Sequence, residues 1–263
     1  MSSCPTGTST APARTRHEHL RKVRRIATCA LTAALVAVGA GCRTQTASPP
    51  PNALATPSVA PGINAEYLKP DLNVSQWVER FEREGREIYD HRHRIVLESG
   101  VRKGMTVADV GAGSGLFTLL FAEAVGRRGT VYAVDIVPAF LTHIEAEALG
   151  RNLDNVRPVL ASERSASLPE RSVDLVFICD TYHHFEYPAE TLASLHAALR
   201  PRGRLVLVEF HREEGRSSDW IMRHVRAGQA VFEAEITRAG FRKIRETPFL
   251  RENYFVVFEK ERR

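Results

Sequence analysis

The chain has 263 residues, of which 43% are hydrophobic and 25% charged, a composition typical of one α/β domain with additional segments. Its net charge of +5 comes from the N-terminus: residues 1–41 contain six Lys or Arg and one Glu, and subtracting these from 36 and 31 leaves 30 of each sign. No nucleic-acid partner is expected, because the folded part carries no basic excess. Only one of four cysteines, Cys179, lies beyond residue 42, which excludes an intradomain disulfide or a cysteine metal cluster.

Residues 1–42 have the pattern of a secretory leader. A basic stretch ends at Arg24 and Arg25, an apolar run of 15 residues follows at 26–40, and Gly41 and Cys42 come next. The run is short for a membrane span and typical of a signal peptide. Small residues before Cys42 indicate a lipoprotein cleavage site, although Gly39 stands where that motif prefers Leu. A plain cleaved signal, an uncleaved anchor and a misassigned start remain alternatives. We expect a periplasmic or lipid-anchored envelope protein if the leader functions, and a cytoplasmic one otherwise.

Two segments precede the main domain. Residues 43–72 are rich in Pro, Ala, Ser and Thr, which predicts an extended tether. Residues 73–103 place apolar side chains at helical spacing among many charges, which predicts one or two amphipathic helices interrupted near Gly85. This helical region is either a lid over a site or a solvated face.

From residue 104 to residue 263, short β-rich runs alternate with helical stretches. Strands are predicted at 105–110, 130–135, 156–160, 173–179 and 204–209, and helices at 116–125, 138–149, 189–199 and 227–239. Apolar strands separated by helices indicate a parallel sheet covered on both faces. Residues 241–247 and 254–259 are predicted to form a closing antiparallel hairpin. The fold class is therefore α/β, doubly wound, with a mostly parallel seven-stranded sheet, a C-terminal antiparallel hairpin and N-terminal amphipathic helices.

A glycine loop follows the first predicted strand. Its glycines are Gly111, Gly113 and Gly115, and Leu116 stands where a dinucleotide fingerprint has its third glycine. Asp135 ends the second strand, where a carboxylate can accept hydrogen bonds from both ribose hydroxyls of a nucleoside. The alternative is that the glycines only turn a tight corner, with Asp109 as a cap.

This spacing, preceded by Asp109, resembles the first motif of class I S-adenosylmethionine (SAM) dependent methyltransferases of the small-molecule type, which includes the quinone C-methyltransferases. The resemblance continues through Asp135 and residues 172–177 and 199–208, and it implies SAM as the cofactor. It implies that the glycine loop holds the methionine part, Asp135 the ribose and Ile136 the adenine, with Ser162 or Glu163 near the adenine amino group. The cofactor-binding residues so expected are Asp109, Gly111, Gly113, Gly115, Asp135, Ile136, Ser162, Glu163 and Asp180.

The segment after the fourth strand, residues 179–188, is polar and aromatic, and in the family this loop lies between SAM and the methyl acceptor. His183, His184 and Phe185 resemble the His-His-Leu common in small-molecule methyltransferases. Methyl transfer is an in-line displacement, and it needs a base only if the acceptor loses a proton. One of the two histidines is a candidate base; alternatively, one caps the next helix and the other packs on the cofactor. The candidate catalytic residues are His183, His184, Tyr182 and His211.

No metal is expected, because no diagnostic ligand spacing occurs among His91, His93, His183, His184 and His211. The leading hypothesis is methyl transfer from SAM to an unidentified small molecule. The alternative is an envelope-tethered SAM-binding or sensing module without turnover. A nicotinamide-dependent oxidoreductase is disfavoured by the glycine spacing.

Overall fold

The computed structural model describes residues 56–261, so the predicted leader and residues 43–55 of the predicted tether lie outside the described residues. In the described range, no helix combines the length and the apolar character needed to cross a membrane. The strands are β1 (Thr106–Val110), β2 (Thr130–Asp135), β3 (Val156–Leu160), β4 (Val173–Cys179), β5 (Leu199–Phe210), β6 (Phe241–Glu246) and β7 (Asn253–Lys260). The helices are α1 (Val74–Phe81), α2 (Glu87–Asp90), α3 (Arg92–Glu98), α4 (Leu116–Val125), α5 (Pro138–Gly150), α6 (Pro188–Ala198), α7 (Asp219–His224) and α8 (Gln229–Arg238).

The seven strands form one sheet in the order β3-β2-β1-β4-β5-β7-β6. All neighbours pair in parallel except β7, which runs antiparallel to both β5 and β6. The predicted fold class is thereby confirmed, including the hairpin at the edge. The chain order reverses between β1 and β4, and ligands of open α/β sheets bind at such a switch point, outside the carboxyl ends of the strands.

Apolar strand residues are buried on both faces of the sheet, as the near-continuous hydrophobic runs predicted. On one face Val176 and Leu205 pack with Phe232 and Ile236 of α8, and on the other Phe177 packs with Phe121 of α4. The rings of Phe121 and Phe177 lie 4.9 Å apart, edge to face. These two layers hold the strand ends, and therefore the loops that follow them, in fixed positions.

Residues 56–72 do not form the extended tether that their composition predicted. The Val59 amide donates to the Glu186 carbonyl at 2.9 Å, and the Ser58 hydroxyl donates to the Glu186 carboxylate at 2.7 Å. Asn64 is buried, with its side-chain amide donating to the His184 carbonyl at 3.1 Å. The prediction was wrong for this part because a few specific contacts anchor a segment whose average composition is that of a linker.

The N-terminal helical region forms three short helices, with the predicted interruption at Gly85, which has φ +83°. Asn73 caps α1 by accepting a hydrogen bond from the Gln76 amide at 3.2 Å. The Glu87 carboxylate at the start of α2 accepts backbone amides of residues 251–253, which lie in the turn between β6 and β7 and at the start of β7. The helical region is thus attached to the edge of the sheet.

Candidate functional site

A cleft that is partly open to solvent lies at the carboxyl ends of β1, β2 and β4. The loops after these three strands form its floor, and the N-terminal region supplies Asn64, Tyr67, Phe81 and Arg86 to its wall. Nine of the predicted site residues line it: Asp109, Gly111, Gly113, Asp135, Ile136, Ser162, Glu163, Asp180 and His184. The cleft therefore collects most of the predicted cofactor-binding residues around one space.

The glycine loop adopts a backbone that only glycine accepts readily. Gly111, Gly113 and Gly115 have φ of +73°, +53° and +84°. A Cβ on Gly111 would lie 2.1 Å from Cγ2 of Thr181, and one on Gly115 would lie 2.8 Å from Cγ1 of Ile144. Gly115 is the N-cap of α4 and does not line the cleft, so its contribution is to the corner that turns β1 into α4.

Two buried carboxylates flank this loop. Asp135 accepts the Gly113 amide and the Val137 amide, each at 2.9 Å, which leaves acceptor capacity for further hydroxyl donors. Burial raises the pKa of Asp135 to about 6, against the lowering effect of these amides. Asp109 accepts the Thr118 hydroxyl at 2.6 Å, and burial raises its pKa to about 7. These groups, with open backbone beside them, fit the ribose and the positively charged methionine end of SAM.

Asp180 joins three parts of the chain at the cleft. Its Oδ2 accepts Arg86 Nη2 at 2.6 Å, and its Oδ1 accepts Asn253 Nδ2 at 2.5 Å. Its side chain is 7% exposed and that of Arg86 is 23% exposed. Burial raises the pKa of Asp180 to about 6, and the Arg86 guanidinium opposes that rise. The ion pair fastens the N-terminal helical region over the end of β4.

The remaining wall is aromatic. The Tyr67 ring lies 4.6 Å from the Trp77 ring, 6.4 Å from Phe140 and 5.4 Å from His184. Phe81 lies 6.3 Å from Phe140. Such a wall presents flat apolar surface to a bound ring and ring faces to a cation. Ser162 and Glu163, at the far side of the cleft after β3, are exposed.

The four candidate catalytic residues are not brought together. Tyr182 is fully buried among Phe185 and Phe232, and its hydroxyl donates to Glu235 at 2.9 Å. His211 lies beyond β5 against Tyr254, and burial lowers its pKa. Neither residue lines the cleft, because the side chains point into the packing around α8 and β7. The structure therefore gives no support to the catalytic assignment of Tyr182 and His211.

The two adjacent histidines differ in their surroundings. His184 lines the cleft, whereas His183 is 1% exposed behind it, with Nδ1 2.9 Å from the buried Glu209 carboxylate. Burial, together with His183 and His224, lowers the pKa of His184 to about 2. A neutral imidazole with so low a pKa is a weak proton acceptor, which favours a positioning role for His184 over general-base catalysis.

Several residues of the site were missed by sequence reasoning. Asn64 and Tyr67 lie in the segment taken for a tether, where the polar and aromatic residues after Gly62 were the available signal. Glu209 follows the apolar run Leu205–Val208 near the end of β5, and a charged residue there is a sign of a buried partner. His224 lies 40 positions from His184, and no local pattern connects them.

Parallel strands, a glycine loop at the switch point and a carboxylate at the end of β2 define the Rossmann-like fold of class I SAM-dependent methyltransferases. Comparisons with known proteins agree. The family described as "Methyltransferase domain" matches residues 108–207. A SAM dependent methyltransferase from Aquifex aeolicus superposes with a TM-score of 0.64 at 24% identity, covering 72% of this chain and 98% of that one.

Curated relatives include two enzymes named ubiquinone/menaquinone biosynthesis C-methyltransferase. That of Marinomonas sp. (strain MWYL1) is 32% identical over 124 residues, 47% of this chain and 49% of the relative. That of Pasteurella multocida (strain Pm70) is 36% identical over 115 residues, 43% of this chain and 42% of the relative. The matches thus span about half the length of these relatives. Residues 108–207 therefore match the methyltransferase-domain family, and the sheet around them has the fold of a SAM-dependent methyltransferase.

Proposed function

We propose that this protein binds SAM in the cleft and transfers its methyl group to a small-molecule acceptor. The observation that carries the proposal is that the glycine loop and Asp135 open into the same cleft as the aromatic wall of Tyr67, Phe81 and Phe140. The glycine loop and Asp135 would hold the cofactor in the space beside that wall. The ring faces stabilise a cation.

The acceptor we propose is apolar and planar, because the wall beside the cofactor loop is built from aromatic rings. The names of the curated relatives, which are quinone-biosynthesis C-methyltransferases, support an acceptor ring of this general type. Most of the catalysis would come from holding the acceptor atom in line with the sulfonium methyl. On this proposal the Arg86–Asp180 pair contributes by keeping the N-terminal wall in place.

The first test is isothermal titration of the purified full-length chain with SAM, S-adenosylhomocysteine and NAD. The first two should bind and NAD should not, because Leu116 replaces the third glycine of a dinucleotide site. NAD binding without SAM binding would refute the proposal.

The second test incubates the protein with methyl-labelled SAM and a panel of phenols and quinols. SAM binding without transfer to any acceptor would favour the sensing module over the enzyme.

We also propose that the leader sends the domain to the cell envelope. The support is the basic stretch, the apolar run at 26–40 and Cys42. SAM is made in the cytoplasm, and export of a folded, cofactor-loaded protein by the twin-arginine route would resolve that conflict, with Arg24 and Arg25 as its sequence support. Fractionation of a C-terminally tagged chain should place it in the membrane fraction, and Cys42→Ala should release it. A wholly cytosolic full-length product would refute this proposal.

A further inference from the structure

Three histidines from two separate segments converge at the back of the cleft. His183 and His184 lie in a 3₁₀ turn after β4, and His224 is the last residue of α7. One ring nitrogen from each lies within 4.8 Å of the other two. Nε2 of His184 and Nε2 of His224 are 3.3 Å apart. Imidazole nitrogens placed in this way are the usual ligands of zinc and related divalent ions.

The other ring nitrogen of His183 is already held by an acceptor. Nδ1 lies 2.9 Å from Oε2 of Glu209, which is fully buried and whose Oε1 accepts the Phe210 amide. With Nδ1 held by this carboxylate, Nε2 is the ring nitrogen of His183 that remains for a metal. A carboxylate that orients a histidine in this way is the usual outer partner of a zinc ligand.

His184 is oriented in the same sense. Its Nδ1 lies 3.2 Å from Oδ1 of Asn64. The orientation of the Asn64 amide is fixed, because its Nδ2 donates to the His184 carbonyl at 3.1 Å. Nδ1 of His184 is therefore the donor, and its Nε2 presents a lone pair toward His224.

The 3.3 Å between the Nε2 atoms of His184 and His224 is also a distance that two ligands of one metal ion have. Two nitrogens bound at about 2.0–2.1 Å to one tetrahedral zinc lie roughly 3.3–3.4 Å apart. The His224 ring is also fixed by stacking on Trp220 at 4.6 Å.

We propose that His183, His184 and His224 bind a divalent first-row transition metal, Zn²⁺ in the first instance, through their Nε2 atoms. Glu209 and Asn64 orient the first two ligands. Three histidines leave a fourth position for water or another oxygen ligand, as in catalytic zinc sites. Metal binding of this kind goes beyond the proposed methyl transfer and does not depend on it. It also departs from the expectation of no metal, because α7 supplies a ligand that no sequence spacing revealed.

The test uses the full-length chain, purified without a polyhistidine tag, stripped with a chelator and titrated with Zn²⁺ and with Co²⁺. We expect one equivalent of Zn²⁺ to bind, and Co²⁺ to give the visible absorption of a nitrogen-bound, low-coordinate ion. Glu209→Gln should weaken Zn²⁺ binding by about 10–100-fold, the usual effect of losing an outer partner. His224→Ala removes a ligand and should weaken it more.

His93→Ala is the matched control, because His93 is exposed on α3 and away from the cluster. Its Zn²⁺ affinity should equal that of the unsubstituted chain. Circular dichroism and SAM titration of His224→Ala test whether the variant still folds, so that weaker Zn²⁺ binding can be assigned to the lost ligand. Equal Zn²⁺ binding by the unsubstituted chain and His224→Ala would overturn the proposal and point to other histidines, such as His17 or His19. If the unsubstituted chain binds Zn²⁺ but not SAM, that result contradicts the proposed function and leaves the metal site standing.

Discussion

Gly111 is the residue at which the cleft constrains the backbone most tightly. It has φ +73°, and an added Cβ would lie 2.1 Å from Thr181. We expect Gly111→Ala to lower the free energy of unfolding by roughly 2–5 kcal/mol, the sum of a left-handed residue and an overpacked contact. Gly104→Ala is the control, since Gly104 has φ +84° with nothing within 4 Å. It should cost only about 1–2 kcal/mol in denaturant unfolding. Equal losses would show that the Thr181 contact is not restrictive.

The protonation state of Asp135 should control the affinity for SAM. Its pKa is raised to about 6, so the carboxylate prevails above that pH and the protonated acid below it. Only the carboxylate can accept both ribose hydroxyls while keeping its backbone amides. SAM should therefore bind roughly tenfold more weakly at pH 5 than at pH 8 in isothermal titration. At pH 8, Asp135→Ala should cost roughly 1–3 kcal/mol of binding free energy.

A second titrating group lies beside the same cleft, so the pH effect needs a control. The pKa of Asp109 is raised to about 7, and Asp109 also lines the cleft. Asp109→Asn should keep the loss of SAM affinity toward pH 5, whereas Asp135→Asn should abolish it. The opposite pattern would assign the pH dependence to Asp109 and remove Asp135 from the ribose site.

At the scale of elements, the N-terminal helices depend on one ion pair for their attachment to β4. Arg86 bonds both Asp180 and the Phe81 carbonyl, the latter at 2.7 Å. Arg86→Ala leaves the buried Asp180 with only Asn253 and should cost roughly 1–3 kcal/mol of stability. It should also expose the segment between α1 and α2 to protease and weaken SAM binding. Arg83→Ala, an exposed position in the same segment, should change neither; if it behaves like Arg86→Ala, the pair is not the attachment.

The sequence predicted regular elements far better than it predicted the site. The bounds predicted for β2, β3, β4 and α4 are those observed, because apolar strands and a buried helix carry strong periodicity. Two features were missed: α7 is only 6 residues long, and residues 56–72 pack through isolated contacts such as Asn64 to His184. The glycine loop could be located because it is local in sequence. The aromatic wall and the three-histidine cluster join segments that are distant in sequence. Local sequence periodicity does not predict contacts between such segments.

At the scale of the molecule, the cleft links elements from the whole described chain. Tyr67 and Phe81 come from the N-terminal region, Asp135 from β2, and Asp180 from the end of β4, where Asn253 of β7 also contacts it. The described residues all belong to one compact unit. A ligand in the cleft would thus contact elements that pack on both halves of the sheet, and its binding energy should stabilise the unit as a whole.

That coupling makes a prediction for thermal unfolding. S-adenosylhomocysteine at about 100 times its Kd should add roughly 2.7 kcal/mol to the free energy of unfolding, because it binds only the folded state. For a unit of this size that corresponds to a rise in Tm of about 5–10 °C. We expect one calorimetric transition that moves as a whole, with no shift on adding NAD. If the transition splits and only part of it moves, the N-terminal wall unfolds independently of the sheet, and Arg86→Ala should then leave the shifted part unchanged.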